Sequence, residues 1–235
     1  MRVFAGTSGY SYPEWRGGFY PDGLATAAML AHYATRLGAV EINNTFYRMP
    51  KGSVVAQWGA QVPESFRFVI KASQRLTHHQ KLREPGELLG YLWGAIGQLE
   101  DKLGAVLFQL PKWVHGDPEL LRACLAAIDG RYRAAFEFHH PSWDREDVRA
   151  ALREHRAVAV AVDQDGAPAE PTPESRTAAW GYVRLRRTSY SDHELEGWVA
   201  RMQSVGWEEV FAFFKHEDAS GPAAAVRLQE IASAG

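Results

Sequence analysis

The sequence predicts an α/β fold, best satisfied by a closed (β/α)8 barrel, with a doubly wound open sheet as the alternative. Three observations carry this reading. Short β-rich runs alternate with helical patterns about eight times along the chain. Those runs are mostly apolar on both parities, as in a parallel sheet covered on both faces. The first run leads into GTSGYSY (6–12), whose glycine spacing is not GxGxxG, so the dinucleotide fingerprint is absent.

The elements follow in order. RVFAGT (2–7) reads as the first strand, and LATAAMLAHYATRL (24–37) has apolar residues at helical spacing. AVEINNTF (39–46) is the second strand, followed by a short helix in GSVVAQWGAQV (52–62). FRFVIKA (66–72) precedes the helix GELLGYLWGAIGQLE (86–100), and AVLFQL (105–110) precedes PELLRACLAAI (118–128). AAFEF (134–138) leads to DREDVRAALREH (144–155), whose acidic first turn and later basic residues suit the helix dipole. AVAVAVD (157–163) is followed by the Pro-rich stretch APAEPTPES (167–175), read as loop. GYVRLR (181–186), the helix DHELEGWVARMQ (192–203), EVFAFFK (209–215) and the helix GPAAAVRLQEIA (221–232) complete the pattern. No stretch has the composition of a linker, so residues 1–235 read as a single domain.

Composition sets bounds. The chain has 235 residues, 46% of them apolar, enough for a sizeable core. The formal charge is -2 with no long block of one sign, so a membrane partner is not expected and general nucleic-acid binding is not favoured. Cys124, the one cysteine, reads as a buried helical thiol. The start of the chain is too short in apolar residues for a secretory signal, and no run reaches the roughly 18 to 20 of a membrane span. A cytoplasmic location is expected.

Chemistry in a parallel barrel gathers at the C-terminal ends of the strands. Here those ends read Thr7 and Ser8; Glu41 and Asn43; Lys71; Gln109; Glu137 and His139; Asp163; Arg184 and Arg186; and Lys215, His216 and Glu217. Residues two apart on a strand share a face, so Glu41 with Asn43, Glu137 with His139, and Arg184 with Arg186 point the same way. If those faces look inward, acids and bases from several strands converge. Each residue alone fits a helix cap or a buried ion pair equally well, but burying so many ionisable groups is costly unless they pair or serve a ligand.

The stretches GTSGYSYPEWRGGFYP (6–21), VEINNTFYRMP (40–50), FVIKASQRLTHHQKL (68–82), LFQLP (107–111), FEFHHPSW (136–143), YVRLRR (182–187) and FFKHED (213–218) carry a resemblance. By them the chain resembles, from end to end, the family called DUF72, or YecE-like. The resemblance implies a TIM-like barrel and brings no settled reaction. Members often read FRHPSW, so His139 stands here in place of an arginine, and many read YFNND where this chain has FFKHED. The fold is similar, more distantly, to barrels of the endonuclease IV and xylose isomerase kind, an analogy of architecture only.

Reaction classes can be weighed against the inventory. A metal site wants three or more converging His, Asp or Glu ligands. Glu41, Glu137, His139, Asp163, His216 and Glu217 are available, but Lys71, Arg184, Arg186 and Lys215 beside them would repel a cation. No cofactor is expected, and a divalent metal is left open. Barrel glycosidases take their carboxylates from strands four and seven, which end here in Gln109 and Arg184. An anion site fits better, with Lys71, Arg184, Arg186 and Lys215 as clamps. Glu137 and Asp163 are then the preferred acid or base, with His139 and Glu41 as further catalytic candidates. Asn43, Gln109, Thr7 and Ser8 would orient the ligand, and Trp15, Tyr47 and Trp143 would wall it. The expected activity is that of a hydrolase or lyase acting on a small, phosphate-bearing anion. The alternatives are a barrel that binds an anion or partner without turnover, and a metal-dependent phosphodiesterase or sugar isomerase.

Overall fold

A computed structural model describes residues 1–164, 171–215 and 219–234. Among these residues nine strand segments follow one another: β1 (Arg2–Thr7), β2 (Ala39–Ile42), β3 (Arg67–Lys71), β4 (Leu103–Leu110) and β5 (Ala134–Phe138), then β6 (Val158–Ala159), β7 (Ala161–Asp163), β8 (Trp180–Leu185) and β9 (Glu209–Phe214). All pair in parallel, in the orders β2-β3-β4-β5-β6 and β1-β9-β8-β7. Two seams join the sheets. At one, β6 runs into β7 through Val160, whose N–H donates to the Phe136 carbonyl at 2.9 Å. At the other, Ser8 bridges in parallel to Glu41. The order therefore runs once round, as in a (β/α)8 TIM-like barrel whose sixth strand is broken in two. The open-sheet alternative falls away. Gly6 permits the second seam, because a Cβ there would lie 1.9 Å from the Ala39 carbonyl oxygen.

Helices α1 (Met29–Tyr33), α2 (Gly52–Ala60), α3 (Gly86–Ile96), α4 (Pro118–Ile128), α5 (Glu146–Glu154), α6 (Asp192–Val205) and α7 (Ser220–Ala234) lie between or after the strands. Their ends follow local chemistry. Asp117 caps α4 by accepting from the Leu120 N–H, and Ser191 with Glu194 forms a reciprocal capping box on α6. Other boundaries shift from expectation. The helix expected over 24–37 contracts to α1, after a 3-10 turn, with no side-chain cap on either start. The strand expected over 39–46 stops at Ile42, and Asn44–Phe46 curls into a 3-10 turn. There the Thr45 hydroxyl donates to the carbonyls of Ile42 and Lys71, tying the ends of β2 and β3 together. After β3, Arg75–His79 forms a π-helical turn that holds His78 and His79.

Strand side chains alternate between two apolar layers. Phe4, Ala39, Val69, Leu107, Ala135 and Tyr182 point toward the axis, while Ala5, Val40, Ile70, Phe136, Leu185 and Phe214 pack under the helices. Cys124 is buried in α4, and burial pushes its thiol up to about 12. Among the described residues no helix is long and apolar enough to cross a membrane. His216, Glu217 and residues 167–170 of the Pro-rich stretch lie outside the described residues.

Candidate functional site

The inward layer changes character at the C-terminal ends of the strands. On β2, Ala39 is followed two residues later by Glu41; on β5, Ala135 is followed by Glu137; on β8, Tyr182 is followed by Arg184. Glu41, Glu137 and Arg184 are all buried. Arg184 bridges the two acids, its Nη2 donating to Glu41 Oε1 at 2.9 Å and its Nη1 to Glu137 Oε2 at 2.6 Å. Ser8 Oγ and Asn43 Nδ2 also donate to Glu41 Oε1, each at 2.9 Å, and the Tyr182 hydroxyl donates to Oε2 at 2.6 Å. Gln109 Nε2 donates to Glu137 Oε1 at 2.7 Å, and His139 Nε2 lies 2.7 Å from the same oxygen. Arg186, two residues beyond Arg184, donates to Ser8 Oγ at 3.2 Å. Residues up to 178 positions apart in sequence thus form one hydrogen-bonded floor. Two polar atoms on it, Arg184 Nε and Asn43 Oδ1, are buried without a hydrogen-bond partner among the described residues.

The electrostatics of this floor are lopsided. Burial alone would push both carboxyls up, but Arg184 and the hydrogen bonds outweigh it, so Glu41 and Glu137 sit below the ordinary carboxylate range. Two acids share one guanidinium, and both are fully engaged. Lys71 is different. It ends β3 on the inward face, and its Nζ lies 4.4 Å from the Phe46 ring centroid. Among the described residues it has no ion pair or side-chain hydrogen bond. Burial, then the charge on Arg184, lowers its ammonium to about 8, against partial opposition from Glu41 and Glu137. His78 meets the same Phe46 ring edge-on at 4.9 Å, and its imidazole is lowered by burial and by Lys71. Counting Glu41, Glu137, Arg184, Lys71 and Arg186 gives two negative and three positive charges.

The family model described as "Protein of unknown function DUF72" matches residues 4–235. The chain belongs to the DUF72 family. Among curated relatives of this DUF72 chain, the UPF0759 protein YecE of Escherichia coli strain K12 is 29% identical over 143 residues, covering 60% of this chain and 50% of that protein. The chain therefore spans about half the length of the curated relatives it matches. A DUF72 family protein from Thermotoga maritima MSB8 superposes with a TM-score of 0.85 at 26% identity, over 100% of both chains. SacUVDE superposes with a TM-score of 0.60 at 10% identity, over 100% of this chain and 98% of that one, a likeness of fold alone.

Not every predicted site residue of the DUF72 chain reaches the floor. Asp163, expected among the acids or bases, lies away from it. It pairs in register with Leu185, in the outer layer, and accepts from Trp198 Nε1 of α6 at 3.2 Å, with Arg187 Nη1 4.0 Å away. The break at Val160 leaves it on the helix side. Thr7 faces outward too, its hydroxyl bonded to the Gly9 carbonyl and lying 2.9 Å from the Tyr33 hydroxyl. Trp15 is fully buried among Tyr12, Phe19 and Tyr20, so it is core and not wall. Tyr47 is 76% exposed and touches Phe46 by its edge. Trp143 stacks on Phe138 and lines a separate cavity of about 450 Å³ with His139, His140 and Trp207. Lys215 lines another cavity, of about 310 Å³, with Arg187, Tyr190 and Arg227. Tyr182 was missed as a site residue because it reads as one more apolar strand position. Its spacing two before Arg184 is the signal that would have found it. Among the described residues no group of three or more His, Cys, Asp or Glu is arranged to hold a metal ion.

Proposed function

We propose that the strand C-termini form an anion site, in which Lys71 and Arg186 take a phosphate or carboxylate above the fixed Glu41–Arg184–Glu137 floor. One observation carries the reading: both buried acids are engaged by one guanidinium, while among the described residues Lys71 keeps a charge that no carboxylate pairs. A bound anion would offset the Lys71 charge and give Arg184 Nε an acceptor. A small phosphate-bearing metabolite fits better than general nucleic acid, because the chain's formal charge is -2.

The chemistry we assign is that of a hydrolase or lyase, with altered roles. Glu41 and Glu137, held ionised and saturated with donors, are positioning residues and poor bases. His139, half-buried with one ring nitrogen on Glu137, takes the part of acid or base, oriented as a carboxylate orients a catalytic imidazole. A second reading, anion binding without turnover, is favoured by the same mutual neutralisation of Glu41, Arg184 and Glu137. Thermal-shift titration with inorganic phosphate, phosphorylated sugars and nucleotides tests the site. A rise in Tm with phosphate in the wild type, absent in Lys71→Met, is expected; equal shifts in both proteins would reject it.

A further inference from the structure

We propose that Lys71 is a nucleophile that traps a carbonyl: it forms an imine with an aldehyde or keto group on a small anionic substrate whose charged end rests against Arg184 and Arg186. This rests on the anion site proposed above and names its substrate class.

The geometry separates Lys71 from an ordinary clamp. Thr45 pins the Lys71 carbonyl at 2.7 Å and so fixes the strand end, while its neighbour Phe46 lies against Nζ at 4.4 Å. His78 meets the same ring edge-on at 4.9 Å, backed by Trp113 at 5.8 Å. The charged and titratable groups that act on the amine are Glu41 from β2, Glu137 from β5, and Arg184 and Arg186 at the end of β8. Both acids already belong to Arg184. A clamp is served best by a permanent cation such as arginine. A half-buried lysine beside a second cation instead gains free amine, the arrangement that activates imine-forming lysines. With its ammonium near 8, about one molecule in ten carries neutral Lys71 at pH 7. An unperturbed lysine is neutral in only about one molecule in several thousand.

The step balances without an outside reagent. The Lys71 nitrogen adds to the carbonyl carbon and its proton passes to the carbonyl oxygen, giving a carbinolamine. Protonation of the hydroxyl and loss of water then leave the C=N bond, and water reverses the sequence to return the carbonyl compound. A base must take the proton from the adding nitrogen and, once charged, return it to the departing hydroxyl. His78, lowered by burial and by the Lys71 charge itself, supplies one.

The test uses glyoxylate, an aldehyde that carries a carboxylate, with sodium cyanoborohydride to fix any imine, followed by peptide mapping. On intact protein at pH 7, Lys71 should be labelled about tenfold or more ahead of Lys51, Lys81, Lys102, Lys112 and Lys215. The rate should reach half its maximum near pH 8. Lys71→Arg should lose the fast adduct while keeping the Tm rise with inorganic phosphate. Labelling of Lys71 no faster than the other lysines would overturn the nucleophile, and the anion site would still stand if phosphate raised Tm. Fast labelling of Lys71 with no effect of phosphate would uphold the nucleophile and remove the anion reading.

Discussion

Replacing Lys71 with methionine should make the empty protein more stable at neutral pH. Lys71 sits half-buried against Phe46 and beside Arg184, with no carboxylate of its own among the described residues. A fall of its ammonium from the ordinary 10.5 to about 8 corresponds to about 3 kcal/mol held against folding. Partial exposure screens that to about 1–3 kcal/mol. The sign follows from proton binding. Between about 8 and 10.5 the unfolded chain still holds a proton on Lys71 that the folded chain has released, so wild-type stability rises with pH across that window. Below 8 the full penalty applies, and above 10.5 it is gone. Lys71→Met removes it at every pH and keeps similar volume, leaving a packing difference of about 1 kcal/mol or less. Urea unfolding followed by the fluorescence of the 8 tryptophans, run on both proteins from pH 6 to above 10, reads the difference directly. The variant should lead at pH 7 and lose that lead as pH rises. A variant less stable than the wild type at pH 7, or a gap that does not change with pH, would refute the reasoning.

Other outcomes follow from the same floor. Arg184→Met leaves Glu41 and Glu137 buried without their cation and should cost about 3–5 kcal/mol at pH 7, measured by urea unfolding. Both acids are held below their ordinary 4.5, so the stability they confer is present above that value and lost as pH falls through their folded values. The gap between wild type and Arg184→Met should therefore narrow on acidification. Tyr182→Phe removes the 2.6 Å donor to Glu41 Oε2 and should cost about 1.5–3 kcal/mol, with little change at Lys71. Asp163→Asn, which touches Trp198 and not the floor, should leave phosphate binding intact and shift stability by about 1–2 kcal/mol.

Much of this was legible because strand parity is a rigid rule. Glu41 with Asn43, Glu137 with His139, and Arg184 with Arg186 pair by spacing alone; the second of each lies one residue past its strand, and Asn43 and His139 reach the carboxylate of the first. The rule failed where parity has no anchor. AVAVAVD (157–163) is apolar on both faces, so nothing in the sequence marks the break at Val160 that turns Asp163 toward α6. Thr7 failed for a related reason: the bridge to β2 falls at Ser8, one residue on, and alternation puts Thr7 outside. The aromatic walls were misjudged because a ring's partner is a tertiary matter. Trp15 joins a cluster that spans 12–20, whereas Phe46, three residues after Asn43, is the ring that reaches Lys71. The state of Lys71 could not be read from sequence at all, since it depends on which cation the acids choose.

The most direct measurement is the titration of Lys71 itself, followed by NMR of the protein carrying 13C-labelled lysine and assigned with Lys71→Arg. With no ligand the Lys71 signal should titrate near 8, and saturating inorganic phosphate should raise that midpoint. A Lys71 signal that titrates with the ordinary lysines, at about 10.4, and ignores phosphate would contradict both the unpaired cation and the anion it awaits.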